Sequence, residues 1–376
     1  MCGKRLRELP CPGKAGMGSR QGRSMPTIYD VARECGVAPS TVSRALSQPG
    51  RVSATTSERI HEVAARMGYQ PNPLAKYLPT GRTETIVLIV SDIANPVYSP
   101  MIRGAEEAAS RAGYTLVLSD IEESPERERD VMEKLLRTVD GFALATSRLS
   151  DAAIRTIARQ RPMVTMNRVT QQVPSVVPDN DQGMRAAATH LADLGHSRVT
   201  YISGPATSWA NVVRWRALRS VGEQLGMKVR RIGPYAPTVA GGWAAAADLV
   251  KPDSKARSGN RGAGEAASAP VRTAAATSAV IGYNDLLAIG AMQGLSDLGL
   301  SVPADVSVVG CDNILGSDWC TPPLTTLASP LRELGATGVR NLLAMIKGAQ
   351  PRSRRPVVLP SQLIVRESTA APAKGN

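Results

Sequence analysis

Aromatic side chains are scarce in this sequence: one Phe, four Trp and eight Tyr among 376 residues. Any interior it builds must be filled mostly by Ala, Val, Leu and Ile. There are only three histidines, His61, His190 and His196. The five cysteines (Cys2, Cys11, Cys35, Cys311, Cys320) are scattered, with no C-x-x-C pair. Neither a structural zinc site nor a disulfide framework is expected from that set. No apolar run approaches the ~20 residues needed to cross a bilayer. The opening MCGKRLRELPCPGKAG is basic but lacks an apolar core. It is therefore not read as a secretory signal, and the expected compartment is the cytoplasm, at the nucleoid. No G-x-G-x-x-G follows the first apolar run, TIVLIV, and no nucleophile–base pairing stands out. The expectation is a protein that is not an enzyme, with no cofactor, no bound metal and no catalytic residue.

What is present is unevenly placed. The net charge is +13, and the first 83 residues hold a surplus of eight positive charges, while residues 84–250 are nearly balanced. A basic end on a neutral body points to a polyanion partner for that end. On charge alone, solvated basic tails remain the alternative. Residues 1–25 are rich in Gly, Lys, Arg and Pro without periodicity, and read as a disordered extension. Met25 stands directly before the first ordered pattern and is a candidate start. Three short helical patterns fill residues 26–70. A Pro-rich linker, PNPLAKYLPTGRT, covers residues 71–83.

From Glu84 the texture changes. Strand-length apolar runs (TIVLIV, YTLVLS, GFALAT, PMVTM, RVTYIS, 229–232, TSAVIGY, VSVVG) alternate with helical patterns near 99–112, 126–137, 150–159, 181–194, 209–225, 241–250 and 284–298. Such alternation implies βαβ units and parallel, doubly wound sheets. About ten strands exceed one compact sheet, so the expected core over 84–368 has two similar α/β lobes with a cleft at the carboxyl ends of their strands. Residues 251–276 are Ala-, Gly-, Ser- and Arg-rich and read as a flexible insert, and 369–376 as a tail.

The stretch DVARECGVAPSTVSRAL carries two helices too short to stand alone. Thr27 and Asp30 form a capping-box variant ahead of Ile28, Val31, Ala32 and Cys35 on one face. Gly36 suits a turn with positive φ, and Pro39 suits the first position of a second helix. Val42, Ala45 and Leu46 point that helix inward, leaving Ser40, Thr41, Ser43 and Arg44 outward. A third helix, capped by Ser53 and stopped at Gly68, offers Ile60, Val63, Ala64 and Met67. This is the pattern of a helix-turn-helix whose second helix meets a DNA major groove. A three-helix packing unit with a polar face is the plainer reading.

TIYDVARECGVAPSTVSRAL and RVSATTSERIHEVAARMGYQPNPLAKYL closely resemble the N-terminal domain of the lactose-repressor (LacI/GalR) family. The resemblance continues through SDIANPVYSPMIRGAEEAASRAGYTLVL, HLADLGHSRVTYISGP, IGYNDLLAIGAM, VPADVSVVGCDN and PPLTTL, over about residues 26–368 without the insert. It implies an all-α helix-turn-helix head on a periplasmic-binding-protein-like core. The implied protein is a transcriptional regulator, a repressor, acting as a homodimer on palindromic double-stranded operator DNA. Operator affinity would be set by a small-molecule effector, a sugar or sugar derivative. The alternative is a sugar-binding solute protein with no DNA role.

The resemblance also implies residue roles. Pro39 and Ser40 occupy the positions that choose the base sequence. Thr41, Ser43 and Arg44 match phosphate and base contacts, and Tyr29 a backbone contact. Asn72, Ala75 and Leu78 fall in the hinge helix, with Leu78 as its minor-groove wedge. Two departures stand out: Ala38 replaces the usual Ser cap, at a cost of about 1 kcal/mol, and Pro79 disfavours helix at Leu78. The implied effector contacts are Ser91, Tyr98, Asn167, Arg214, Asn284 and Asp312, a set of forks, amides and acceptors suited to a polyol. Trp209 could stack on a sugar or belong to the lobe core. Pro237, near Tyr235, stands where an aromatic is common, and Cys311 where Tyr is common. His190 and His196 are read as structural.

Overall fold

The structure, a computed structural model, describes residues 26–48, 50–70, 82–251, 277–349 and 355–373. The chain separates into two compact units, divided after Gly81. The expectations for residues 1–25, for most of the 71–83 linker and for nearly all of the 251–276 insert lie outside the described residues.

The first unit holds three helices among its described residues: α1 (Ile28–Cys35), α2 (Pro39–Ser47) and α3 (Ala54–Met67). The Asp30 carboxylate accepts from the Thr27 N–H at 2.9 Å and from its hydroxyl at 2.7 Å, fixing the start of α1. Gly36 takes φ 63° and turns the chain into α2, which opens on Pro39. Gly68 ends α3 at φ 67°. Ser53 stands at the N-cap of α3, its hydroxyl donating to Thr56 Oγ1 at 2.8 Å. Val31, Ala32, Cys35, Val42, Ala45, Ile60, Val63 and Ala64 form one small core. Each helix is too short to persist alone, so this shared core holds all three.

The second unit has two lobes. In chain order, lobe 1 begins with β1 (Thr85–Val90), α4 (Tyr98–Arg111), β2 (Thr115–Asp120), α5 (Pro125–Leu135), β3 (Gly141–Leu144), α6 (Asp151–Ala158), β4 (Met163–Met166) and β5 (Ser175–Pro178). Lobe 2 follows with α7 (Asn180–Asp193), β6 (Arg198–Ile202), α8 (Trp209–Gln224), β7 (Lys228–Ile232), α9 (Val239–Leu249), β8 (Ala279–Gly282), α10 (Asp285–Asp297), β9 (Ser307–Asp312) and β10 (Thr325–Ala328). The chain then returns to lobe 1 as α11 (Leu331–Ile346) and β11 (Val357–Leu359). It crosses once more to lobe 2 as β12 (Gln362–Ile364).

The lobe 1 sheet runs β11-β5-β4-β3-β1-β2, all parallel. The lobe 2 sheet runs β12-β10-β9-β8-β6-β7, parallel except for β12 against β10. Helices cover both faces of these sheets. That is why Ile86, Val87, Leu88, Ile89 and Val90 are fully buried and read as an unbroken apolar run.

The helix patterns expected from the sequence match α4 to α10 within two residues at each end. Helix α11 carries no expectation from the sequence patterns, nor do the short strands β5, β10, β11 and β12. In α11, Leu331, Leu334, Val339 and Leu342 are buried at helical spacing. Gly335 lets it lie against α4: a Cβ there would sit 2.0 Å from the Met101 carbonyl oxygen, and one on Gly104 would sit 1.9 Å from that of Arg332. Three crossings join the lobes, at 179, 329–330 and 360–361.

Candidate functional site

In the first unit, α2 presents its polar side outward. Ser40, Ser43 and Arg44 are exposed, Pro39 and Thr41 half-buried, and Val42 and Ala45 are buried behind them. The Arg44 side chain has no hydrogen-bond or ion-pair partner among the described residues. Tyr29, on α1, is 66% exposed. Ala38 at the N-cap offers no side-chain bond. Six of the nine residues expected to meet DNA thus lie on this small domain, and the five besides half-buried Pro39 carry polar groups. Asn72, Ala75 and Leu78 fall outside the described residues.

In the second unit, residues at the carboxyl ends of strands meet in a cleft between the lobes. Lobe 1 contributes Asn95, Val97, Tyr98, Glu123, Arg148 and Asn167. Lobe 2 contributes Arg214, Pro237, Tyr283, Asn284 and Asp312. Five of the six expected effector residues line this cleft. The sixth, Ser91, lies behind Tyr98, its hydroxyl 2.7 Å from the Tyr98 hydroxyl. Asn167 follows β4 with φ 55°, and Asp312 ends β9 with φ 114°. Such positive φ values in non-glycine residues cost about 1–3 kcal/mol each and cluster at functional sites.

The lobe 2 wall is built around one guanidinium. Arg214 donates from Nε to Asn180 Oδ1 at 2.9 Å, from Nη1 to the Tyr283 carbonyl at 2.5 Å, and from Nη2 to Asp312 Oδ1 at 2.8 Å. Its Cζ lies 5.5 Å from the Tyr283 ring centre. Burial is the largest influence and works against the charge, but the facing Asp312 carboxylate, together with Cys311, Tyr283 and Tyr201, outweighs it and holds Arg214 protonated. Burial raises Asp312 above the usual carboxylate range, opposed by Arg214. Asn284 caps α10, accepting from the Leu287 N–H at 2.9 Å, and its amide donates to the Pro237 carbonyl at 3.3 Å. Beneath this wall, fully buried Asp285 accepts from the Thr326 hydroxyl at 2.5 Å and from the Ile314 N–H at 2.8 Å. Burial, and then the nearby Asp312, push its pKa up to about 7.

The lobe 1 wall is a chain of contacts. The Tyr98 hydroxyl meets Ser91 Oγ and donates to Thr146 Oγ1 at 3.1 Å. Ser91 donates to Glu123 Oε1 at 2.6 Å, and Arg148 Nε donates to Glu123 Oε2 at 2.5 Å. Burial of the Tyr98 phenol pushes its pKa up to about 12. The sequence reading missed Glu123, Arg148 and Tyr283. The available signal was position: Arg148 follows GFALAT and Tyr283 ends TSAVIGY, each at the carboxyl end of an expected strand.

Of the flanking residues, Trp209 is half-buried against the lobe 2 core, and Pro237 lines the cleft. The Tyr235 hydroxyl donates to the Asp248 carboxylate. Cys311 is 1% exposed. His196 sits at 2.9 Å from Ser278 Oγ and from the Ala370 carbonyl, and at 3.1 Å from Ser307 Oγ. His190 meets Thr369 Oγ1 at 2.9 Å. Both histidines pin the C-terminal stretch to lobe 2, and burial lowers both pKa values.

An exposed polar face on the second of three short helices and a two-lobed core with a polar cleft define a helix-turn-helix regulator with a ligand-binding-protein-like body. Comparison with known proteins agrees. Residues 27–72 match the model of bacterial regulatory proteins of the lacI family, and residues 188–369 that of the periplasmic binding protein-like domain. The chain is 30% identical over 351 residues to the HTH-type transcriptional regulator DegA of Bacillus subtilis, covering 92% of this chain and 98% of the relative. Its fold matches the crystal structure of the Lac repressor dimer bound to operator and the anti-inducer ONPF, with a TM-score of 0.77 and 26% identity, over 93% of this chain and all of that one. A LacI family transcriptional regulator from Enterococcus faecium with bound ribose matches with a TM-score of 0.63 and 29% identity, over 76% of this chain and 99% of that one. The chain belongs to the lacI family of bacterial regulatory proteins, and it is a DNA-binding transcriptional regulator. The alternative of a solute-binding protein with no DNA role is set aside by its N-terminal domain.

Proposed function

We propose that the chain acts as a repressor that binds a palindromic operator as a homodimer and releases or grips it according to a carbohydrate held in the inter-lobe cleft. The single observation that carries this is the pairing of an exposed Ser40–Arg44 face with a strained polar cleft in the same chain. Tyr29, Pro39, Ser40, Thr41, Ser43 and Arg44 meet DNA, joined by Asn72, Ala75 and Leu78 in the linker of residues 71–83. Residues 26–70 form the head, and 84–368 the effector and dimerisation core. Tyr98, Asn167, Arg214, Asn284 and Asp312 face the effector, with Ser91 behind them. The cleft binds and does not catalyse, and the protein works on DNA in the cytoplasm. Lobe closure around the ligand changes dimer geometry, which changes how well two heads fit two half-sites.

Electrophoretic mobility shifts on DNA from beside its own gene test the reading. Arg44→Ala should weaken operator binding by about 1–3 kcal/mol and reduce the salt dependence of the affinity. Undiminished binding by that variant would remove α2 from the interface.

A further inference from the structure

The Arg148 guanidinium is the least satisfied charge in the cleft. Its side chain is only 4% exposed, and its one side-chain contact is Nε on Glu123 Oε2. Nη1 is buried without a partner, and no acceptor among the described residues meets either Nη atom. Arg214, across the cleft, differs in kind: all three of its nitrogens are engaged by protein. A buried, charged donor edge without an acceptor is costly, and in a binding cleft a ligand that supplies the acceptor relieves that cost.

The geometry of the free edge selects the ligand chemistry. The two Nη atoms form a planar fork that matches the two oxygens of a carboxylate or phosphate, whereas a sugar hydroxyl engages one N–H at a time. Two carboxylates also face the cleft, and each is already matched: Glu123 by Arg148 and Ser91, Asp312 by Arg214. The Asn167 Oδ1, buried and unpartnered on the same wall, asks for a hydroxyl or amine donor beside that oxyanion.

Building on the effector cleft proposed above, we infer that Arg148 reads an oxyanion on the effector, so that the ligand is an acidic or phosphorylated sugar and not a neutral one. Glu123 is a positioning residue that sets the plane of the guanidinium and limits how strongly the anion is held.

Calorimetry and thermal shift on the full chain test this with matched probes: gluconate against glucose, galacturonate against galactose, and ribose 5-phosphate against ribose. At least one charged member should bind about tenfold or more tighter than its neutral twin, the gain expected of hydrogen bonds to a charged group. The pair that responds tells a carboxylate from a phosphate. Arg148→Gln should erase the advantage, and Arg148→Lys, which keeps charge but not the fork, should keep only part of it. Glu123→Gln should leave the charged probe bound as tightly or more tightly, whereas a purely structural Glu123 would weaken it.

Equal binding of charged and neutral twins, an unaltered advantage in Arg148→Gln, or silence of the whole panel at millimolar concentration each overturns the inference. A neutral sugar lost in Asp312→Asn but kept in Arg148→Gln overturns only the role of Arg148 and leaves the cleft reading standing. A probe that binds both variants unchanged counts against the cleft itself.

Discussion

The two walls of the cleft are built from the same residue types and finished to different degrees. On lobe 2, Arg214 reaches Asn180, the Tyr283 carbonyl and Asp312, and no buried polar atom of Arg214, Asn284 or Asp312 is left over. On lobe 1, Arg148 Nη1 and Asn167 Oδ1 are buried without partners. The first wall is held in place by its own bonds. The second is held by one chain of contacts, from Thr146 through Tyr98 and Ser91 to Glu123 and Arg148. A preformed wall fixes where a ligand sits, and an unfinished one gains most when the ligand arrives. The ligand's differential affinity for open and closed states would thus come mainly from lobe 1.

Charge deletion on each side is the strongest way to break that comparison. Arg214→Met removes three donors and strands the Asp312 carboxylate in a buried site, a change that costs about 3–5 kcal/mol. Arg148→Met removes a guanidinium that already lacks acceptors, and frees Glu123, whose side chain is 29% exposed and can hydrate. Its effect on the unliganded chain should be much smaller than that of Arg214→Met. Urea unfolding monitored by far-UV circular dichroism measures both. Equal losses would show that the lobes are finished alike.

A smaller effect, resolved by pH, tests whether the lobe 2 wall rests on Asp285. Its pKa is pushed up to about 7, so the folded state holds the proton that the unfolded chain releases near pH 4. The stability this provides is complete below about pH 4 and is lost as the pH rises through 7, a swing of at most about 4 kcal/mol. Asp285→Asn has nothing to titrate. Its unfolding free energy should therefore fall less, or even rise, between pH 4 and 7 where that of the parent chain falls. His196 contributes with the opposite slope, because burial lowers its pKa and its contribution disappears on acidification below about 6.5. An identical pH profile in the two proteins would place the titration elsewhere.

How far these walls could be read from sequence follows from what local pattern encodes. Helix starts and stops are local chemistry, and so Asp30, Gly36, Pro39 and Gly68 mark the head in the sequence itself. Strand β1 announced itself because a sheet covered on both faces needs an apolar side chain at every position. Strands of three or four residues, such as β5 and β11, are too short to show any period. The apolar pattern of α11 is interrupted by Gly335 and Gly338, whose use is visible only when α4 and Met166 are seen against them. Arg214 and Asp312 were legible through family-like motifs. Arg148 was not, because a charged residue after a strand is ordinarily a solvated loop residue. It becomes a cleft residue only when β2 and β3 place Glu123 beside it.

The smallest change is the most discriminating for lobe 1. Tyr98 was expected to contact the effector, yet its hydroxyl already has Ser91 and Thr146 as partners, and the residue is 4% exposed. Tyr98→Phe deletes one oxygen and strands neither neighbour, since Ser91 still donates to Glu123 and Thr146 to the Ala145 carbonyl. The loss should be about 1 kcal/mol in stability. If the hydroxyl supports the wall from behind, ligand affinity in calorimetry should fall no more than about tenfold, the weight of one such neutral hydrogen bond. If it touches the ligand, affinity should fall further while stability barely moves. Because the two outcomes split stability from affinity in opposite directions, one melting curve and one titration decide whether lobe 1 receives its ligand on Tyr98 or on the charged pair in front of it.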